Sequence, residues 1–278
     1  TLALFSLPLV VSVLVSRAAG TFEPHGAASV VGRRWFELVA AGVSLALMLK
    51  LLFYGVRPVP TDRKFHLSRT CPAGVYVHLT SWLVTLSAVY FFYGAAKSGL
   101  LQSDLVWWPL VGLCAKVPLV VATLNIMMFG LWYKMNWSNP TNFERDIKPM
   151  IDRGGSAVVF WAWAIHGLPA LLSVMDIFVF SSNDVLMDSM GPTAAIVLLL
   201  SIQSLYAIFT NWNYSQNGGI WPYAFCDLIF SKAYGQTLFV LGTGLLQAAL
   251  FSALYYVCVG AGQHRIHLPL VDLGPLAL

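Results

Sequence analysis

The sequence predicts an all-α membrane protein, a polytopic bundle of six main transmembrane helices preceded by a short apolar segment. Of its 278 residues, 58% are hydrophobic and 10% are charged, whereas about a quarter of the residues in an ordinary soluble domain are charged. The mean hydropathy is +0.72, and several apolar runs reach about 20 residues, enough for a helix to cross a bilayer. In lipid the backbone must satisfy its own polar groups, and runs of this length do so as helices rather than as strands.

The apolar runs also set the domain organisation. Residues 1–34 hold a short N-terminal apolar segment and a linker, residues 35–260 the transmembrane domain, and residues 261–278 a C-terminal tail. The N-terminal segment is interrupted by Pro8 and is marginal for crossing about 30 Å of hydrocarbon. The six main spans are predicted at residues 35–56, 74–96, 105–133, 157–180, 192–212 and 236–260.

The loops between the spans indicate an orientation. Loops after the first, third and fifth spans carry nine lysines and arginines, whereas the opposite side carries five. Basic loops remain on the cytoplasmic or matrix side of a membrane. We therefore expect the nine-residue side, named the basic side, to face the cytoplasm or an organellar matrix.

Composition also limits the partners. The net charge of +4 arises from short loops, as in a membrane protein, and predicts no nucleic-acid partner. The four cysteines lie too far apart for a metal or redox motif and are interpreted as small apolar residues. We therefore expect membrane lipids as partners, and neither a metal nor a cofactor.

Ionisable residues inside the spans are the first functional candidates, because charges in hydrocarbon are costly. Glu37, Lys50 and Asp176 lie near span ends, where we expect structural roles with the charged group reaching the interface. Lys116 lies further inside, and structural and functional roles are both open for it. His166 lies nine residues into the fourth span, about 13 Å below the basic side, so it must have a partner. Because Pro169 follows it, the helix is expected to kink or open there.

Two more polar residues are predicted near the depth of His166. Thr80 lies six residues into the second span, and Asn125 lies eight residues from the basic end of the third, which gives depths of about 9 and 12 Å. A neutral imidazole beside a hydroxyl can remove its proton while the oxygen attacks an ester. Without a carboxylate at this depth, Asn125, a tyrosine or a backbone carbonyl would orient the imidazole. The alternative is that Thr80 bonds its own helix and His166 a neighbouring one.

Four further patterns stand out in the sequence: Tyr76 to Thr80 with the aromatic run Tyr90 to Gly94, His166-Gly167 with the following proline, Val117-Pro118 to Trp132-Tyr133, and Gly219 to Tyr223. In these segments the sequence resembles the androgen-induced gene and androgen-dependent TFPI-regulating protein family of multispan threonine hydrolases, over about residues 36–260. The resemblance implies that Thr80 is the nucleophile, that His166 is catalytic, and that fatty-acid esters of hydroxy fatty acids are hydrolysed without a metal. The residues expected to position the pair or line a pocket are Asn125, Trp163, Gly167, Trp221 and Tyr223.

A second interpretation is a non-catalytic accessory subunit of a larger membrane complex, for example a mitochondrial one, that has recruited this fold. Ile165 replaces the family's asparagine beside the histidine. The extra residues 1–16, the tail, and a start at Thr1 that is compatible with a processed organellar precursor also favour it. An endomembrane location is expected for the hydrolase, and the mitochondrial inner membrane or another organellar membrane for the subunit. A weaker third interpretation, haem or quinone binding by His78 and His166, needs two residues whose predicted depths differ by about 7 Å.

Overall fold

The computed structural model describes residues 27–54, 76, 78–96, 114, 116–181 and 183–260, and the described chain is helical and contains no strand. The predicted apolar segment at residues 1–16 and the tail at 261–278 lie outside the described residues. The helices are α1 (Ala27–Tyr54), α2 (Leu79–Ala95), α3 (Pro118–Trp132), α4 (Pro140–Asn142), α5 (Lys148–Met175), α6 (Asn183–Met187), α7 (Pro192–Gln216), α8 (Ala224–Phe230) and α9 (Gly235–Tyr255). Wider π-helical turns follow four of them, at Tyr133–Trp137, Phe143–Ile147, Asp176–Phe180 and Tyr256–Gly260.

Within this part of the chain, five helical stretches are long and apolar enough to cross a membrane, which makes the chain an integral membrane protein. They correspond to the first, third, fourth, fifth and sixth predicted spans. At the second predicted span the described helix is α2, which has only 17 residues. The five stretches are Gly32–Leu52, Pro118–Trp137, Val159–Phe180, Pro192–Gln216 and Gly235–Val259.

Several helix ends differ from the predicted span ends. Helix α5 begins at Lys148 rather than at residue 157, and the helical path of α3 continues through the π turn to Trp137. The helix was expected to kink or open near Pro169. It does not open, because α5 remains α-helical through this proline, and the kink stays a prediction. The depths predicted from the sequence were counted from the ends of the apolar runs. Where a helix extends beyond its apolar run, these depths are therefore wrong.

Helix α3 is the centre of the bundle. It packs on α2, α5 and α9, and consecutive side chains from Pro118 to Asn125 are buried around its whole circumference, as expected for a helix that is apolar on all faces. Helices α7 and α9 pack on each other and expose large apolar side chains such as Ile208 and Leu245. Because five stretches are long enough to span a membrane, these exposed faces are suited to contact lipid.

A network of buried polar contacts joins α2 to the end of α5, and an ion pair lies within the neighbouring α1. The hydroxyl of Tyr90 donates to Asp176 Oδ2 at 2.5 Å, and Ser181 donates to Oδ1 at 3.3 Å. Arg33 pairs with Glu37 at 2.9 Å. Glu37 and Asp176 are only 5% and 2% exposed, so the expectation that they reach the interface is wrong: buried charges need partners, and these have them.

The two lysines singled out by the sequence make surface contacts. Lys116 lies just before α3 and forms an ion pair with Asp188. The ammonium group of Lys50 lies over the ring of Trp161, 5.2 Å from its centroid, which is a cation–π geometry. The ion pair with Asp188 favours a structural role for Lys116 over a functional one.

Replacing Tyr90 by phenylalanine should lower stability, because Asp176 then loses a donor inside the protein. We expect a loss of about 1–2 kcal/mol, measured as a lower midpoint of thermal unfolding in detergent. Tyr93→Phe, on the same helix, is the matched control and should leave the midpoint unchanged. Equal midpoints for the two variants would show that the network does not stabilise the fold.

Candidate functional site

The structure brings Thr80 and His166 together. Thr80 is the second residue of α2, and its Oγ1 lies 3.2 Å from Nε2 of His166 on α5. Because no full helical turn precedes Thr80, no carbonyl of α2 lies four residues before it to accept its hydroxyl. Thr123, in the middle of α3, does have such an acceptor and donates to the Leu119 carbonyl at 2.7 Å. The Thr80 hydroxyl is therefore directed to other helices, where the sulfur of Met128 also lies 3.9 Å away.

A backbone carbonyl sets the tautomer of His166. Nδ1 lies 2.7 Å from the carbonyl oxygen of Ala162, and a carbonyl oxygen only accepts. Nδ1 therefore carries the proton, and the lone pair of Nε2 faces the Thr80 hydroxyl. This carbonyl is one of the three orienting groups considered from the sequence. Nε2 is the nitrogen that the haem hypothesis would use as a ligand, and in this structure it faces the Thr80 hydroxyl.

The ring of His166 is held by Trp132 rather than by the predicted Trp163. Trp132 stacks on the imidazole with centroids 4.4 Å apart and an interplanar angle of 10°. Trp163 lies behind it, in edge contact with Trp132 at 5.3 Å. A Cβ added at Gly167 would make only an ordinary contact with the ring of Phe129, at 3.5 Å. Trp163 therefore supports the site indirectly, through Trp132, and the packing around Gly167 does not require a glycine.

Two tyrosines complete the first turn of α2. The backbone N–H of Leu79 donates to the hydroxyl oxygens of Tyr206 and Tyr223 at 3.0 and 2.9 Å. The two hydroxyls thus provide acceptors for an N–H group that has none within the helix. Tyr223 also hydrogen-bonds the side chains of Thr80 and Tyr206. Burial raises the pKa of Tyr223, which keeps its hydroxyl protonated at neutral pH. Tyr206 was not predicted from the sequence; the signal that could have found it is that a buried tyrosine hydroxyl needs a polar partner.

The sequence predicted that Asn125 lies at the same depth as Thr80 and His166, but the structure places it at another level. Its amide group donates to Ser87 Oγ at 2.8 Å and to Ser173 Oγ at 2.9 Å. Ser87 lies seven residues beyond Thr80, or about 10 Å along α2. The predicted depth was wrong because the helical path after Asn125 continues to Trp137. Asn125 therefore joins α2, α3 and α5 at another level.

The predicted residues of the loop before α8 have different positions. Trp221 stacks on Tyr214 with centroids 4.1 Å apart and touches Phe230 by its edge. Pro222 and Tyr223 line the cavity beside Thr80. Trp221 is thus a packing residue of the loop, whereas Tyr223 belongs to the site.

Thr80 and His166 lie in the wall of a cavity of about 110 Å³ between α2, α3, α5, α7 and α9. Among the described residues that line it, no side chain is acidic, and neither lysine nor arginine is present. An apolar cavity with a few convergent polar groups is typical of a small-molecule site, and this wall suits a hydrocarbon chain. Much of the wall is formed by Leu83, Leu124, Met127, Leu131, Ile202 and Phe239.

Comparisons of the whole chain add no relative: no known family, no curated protein and no solved structure matches it. In the described part of the chain, no group of three or more histidine, cysteine, aspartate or glutamate side chains is arranged to hold a metal ion. The chemistry of the site must therefore be read from its own geometry.

Nuclear magnetic resonance of protein labelled with ¹⁵N-histidine should show His166 with a proton on Nδ1 and an unprotonated Nε2. Its signal is assigned by its loss in His166→Gln. Thr80→Val should shift the Nε2 resonance because the hydroxyl donor is removed, and Thr85→Val, on the same helix, should not. A proton on Nε2 instead of Nδ1 would contradict the tautomer.

Proposed function

We propose that this protein is a membrane-embedded hydrolase of lipid esters, with Thr80 as the nucleophile and His166 as the general base and acid. The observation that carries the proposal is the 3.2 Å contact between Thr80 Oγ1 and His166 Nε2 in the wall of an apolar cavity. The resemblance to the threonine hydrolase family implies the same roles for the same two residues.

In the first half of the proposed reaction, Thr80 Oγ1 attacks the carbonyl carbon of the ester. Its proton passes to Nε2 of His166, and the carbonyl oxygen becomes an oxyanion. The tetrahedral intermediate then collapses, the bond to the alcohol oxygen breaks, and the proton on Nε2 goes to the leaving alcohol. The product is an acyl ester on Thr80 and a free alcohol.

In the second half, water replaces the alcohol. His166 takes a proton from the water as the water oxygen attacks the acyl carbon, and returns it to Thr80 Oγ1 as the acid leaves. Throughout, Nδ1 keeps its proton and donates it in a hydrogen bond to the Ala162 carbonyl oxygen, 2.7 Å away. The cationic imidazolium that forms in both halves is stacked on Trp132, whose π face stabilises positive charge.

Tyr223 is the group that we expect to stabilise the oxyanion. Its hydroxyl oxygen accepts from the Leu79 N–H at 2.9 Å, which leaves the hydroxyl proton available for donation. The same hydroxyl hydrogen-bonds the Thr80 side chain, so it lies beside the atom that attacks. The first turn of α2 also places the positive end of the helix dipole at this point.

We further infer that α2 is the sixth transmembrane helix of the bundle. Its 17 residues have a length of about 26 Å, near the lower limit for a span. It packs against α1, α3 and α5, and each of these three helices contains a stretch long enough to cross the membrane. A short α2 would begin below the basic surface and would place Thr80 inside the membrane rather than in water.

A fluorophosphonate probe that carries an alkyl chain should label Thr80 covalently, because the probe reacts with activated hydroxyl groups. Mass spectrometry of the labelled peptide should place the adduct on Thr80. We expect His166→Gln to slow labelling about 10²–10⁴-fold, the usual contribution of a general base.

The controls separate catalysis from folding. Thr85→Ala, on the same helix and outside the cavity wall, should label at the wild-type rate, whereas Thr80→Ala should not label. No labelling of the wild-type protein, or equal labelling of the Thr80→Ala variant, would reject the hydrolase and favour the accessory subunit. Migration within a larger complex in native electrophoresis would then support that alternative.

Tyr223→Phe should lower kcat by about 10²-fold while KM changes little, because the hydroxyl is used most strongly when charge develops on the ester oxygen. The measurement is steady-state hydrolysis of a para-nitrophenyl ester of a long-chain acid. Tyr214→Phe, in the neighbouring stacked pair, is the control and should keep the wild-type kcat. An unchanged kcat in Tyr223→Phe would show that the oxyanion is stabilised elsewhere.

A further inference from the structure

The cavity beside Thr80 offers water few hydrogen-bond partners. A buried water needs about two to four polar partners, but the polar groups of the site are already bonded to the protein. Thr80 Oγ1 contacts Nε2 of His166, and Nδ1 of the same ring donates to a backbone carbonyl. The hydroxyls of Tyr206 and Tyr223 both accept from the Leu79 N–H. Water that enters this region therefore gives up most of its hydrogen bonds.

The other polar side chains of the wall do not change this. They are Asn136, Gln203, Thr210, Gln236, Thr243 and Gln247, but the surface that the wall presents to the cavity is almost entirely apolar. Oε1 of Gln203 and Oε1 of Gln247 have no partner within the described chain, and both atoms are buried inside the wall. Because an apolar surface cannot replace the hydrogen bonds that water loses, bringing water to Thr80 is costly.

A long-chain alcohol avoids this cost. It collects in a membrane because the burial of its hydrocarbon chain is favourable, and it passes from lipid into an apolar cavity at little cost because the two surroundings are alike. Helices α7 and α9 contribute to the wall and also expose large apolar side chains such as Ile208 and Leu245. The alcohol therefore reaches the cavity from lipid, and it needs only an acceptor for its hydroxyl proton.

The acyl-enzyme of the proposed reaction supplies that acceptor. Once Thr80 Oγ1 carries the acyl group it has no proton to donate, so Nε2 of His166 is available to the incoming hydroxyl. The first half of the reaction ends with the departure of an alcohol, and its exact reverse is the attack of an alcohol on acyl-Thr80 through the same transition state. A second alcohol therefore needs no residue beyond those that released the first.

We propose that this protein is also a transacylase, which passes the acyl group from Thr80 to a long-chain alcohol of the membrane in preference to water. The alcohol oxygen bonds to the acyl carbon, its proton goes to Nε2 of His166, the bond between the acyl carbon and Thr80 Oγ1 breaks, and the proton returns to Oγ1. One ester and one alcohol are thereby exchanged for another ester and another alcohol. This inference rests on the proposed function for the acyl-enzyme alone.

The products formed from one acyl donor in the presence of two acceptors test the proposal. The full chain in mixed micelles is given the para-nitrophenyl ester of hexadecanoic acid together with hexadecanol, and mass spectrometry measures hexadecyl hexadecanoate against hexadecanoic acid. We expect the ester to exceed the acid about tenfold, because the apolar wall disfavours water. Ethanol at the same concentration should leave the acid as the main product, because ethanol does not collect in the micelle.

The outcomes separate this proposal from the proposed function. No release of para-nitrophenol from the wild type would reject the proposed function and the transacylase with it. Release of para-nitrophenol with the acid as the main product in hexadecanol would reject the transacylase alone. The same ratio of ester to acid with hexadecanol and with ethanol would also reject it, because the apolar cavity would then select no acceptor.

Polar substitutions in the wall test whether its apolar surface selects the acceptor. Leu131→Ser should lower the ratio of ester to acid about tenfold, because the added hydroxyl gives water a partner in the cavity. Ile202→Ser, also in the wall, should do the same and covers a failure of the first variant to fold. Leu245→Ser is the matched control, since Leu245 is 72% exposed and lies outside the wall, and it should keep the wild-type ratio. A wild-type ratio in both wall variants would overturn the proposal.

Discussion

The position of the first turn of α2 is the constraint on which the site depends. A helix that begins inside an apolar bundle presents backbone N–H groups without acceptors, and leaving them unpaired in lipid costs several kcal/mol each. The hydroxyls of Tyr206 and Tyr223 accept from Leu79, and Trp82 Nε1 donates to the Tyr76 carbonyl at 2.8 Å. These bonds fix where α2 begins and thereby hold the Thr80 side chain toward His166.

The rest of the bundle makes this arrangement rigid through polar links between otherwise apolar helices. Hydrophobic burial cannot select one helix register in lipid, because lipid is as apolar as the side chains, so packing and interhelical hydrogen bonds must do so. The amide of Asn125 bonds serines on α2 and α5 at once. Tyr90 and Asp176 join the same two helices near their other ends. Links at two levels prevent α2 and α5 from sliding past each other, which preserves the contact between Thr80 and His166.

The sequence predicted the helical class and the meeting of Thr80 with His166, because apolar runs and buried polar residues are visible without coordinates. It failed on quantities that depend on where helices end and which way they face. The depth of Asn125 was wrong because polar residues continue α3 to Trp137. Trp163 was predicted to help position the pair, whereas the stacking of Trp132 on the imidazole was not predicted, because only the rotation of α3 decides which ring reaches it. The unpaired oxygen of Gln247 depends on contacts that no single residue pattern reveals.

The use of a backbone carbonyl to orient His166 follows from the surroundings of the site. A carboxylate in this position would have to be desolvated in an apolar bundle, and it would strengthen the base only at that cost. The Ala162 carbonyl is present in the helix already and sets the same tautomer without a charge. Ile165, beside His166 in the sequence, is then no obstacle to the proposed role. Ile165 packs against the apolar cluster of Leu47, Val84 and Ala164, where an asparagine would need its own partners, and the tautomer of His166 is set one turn earlier in the helix.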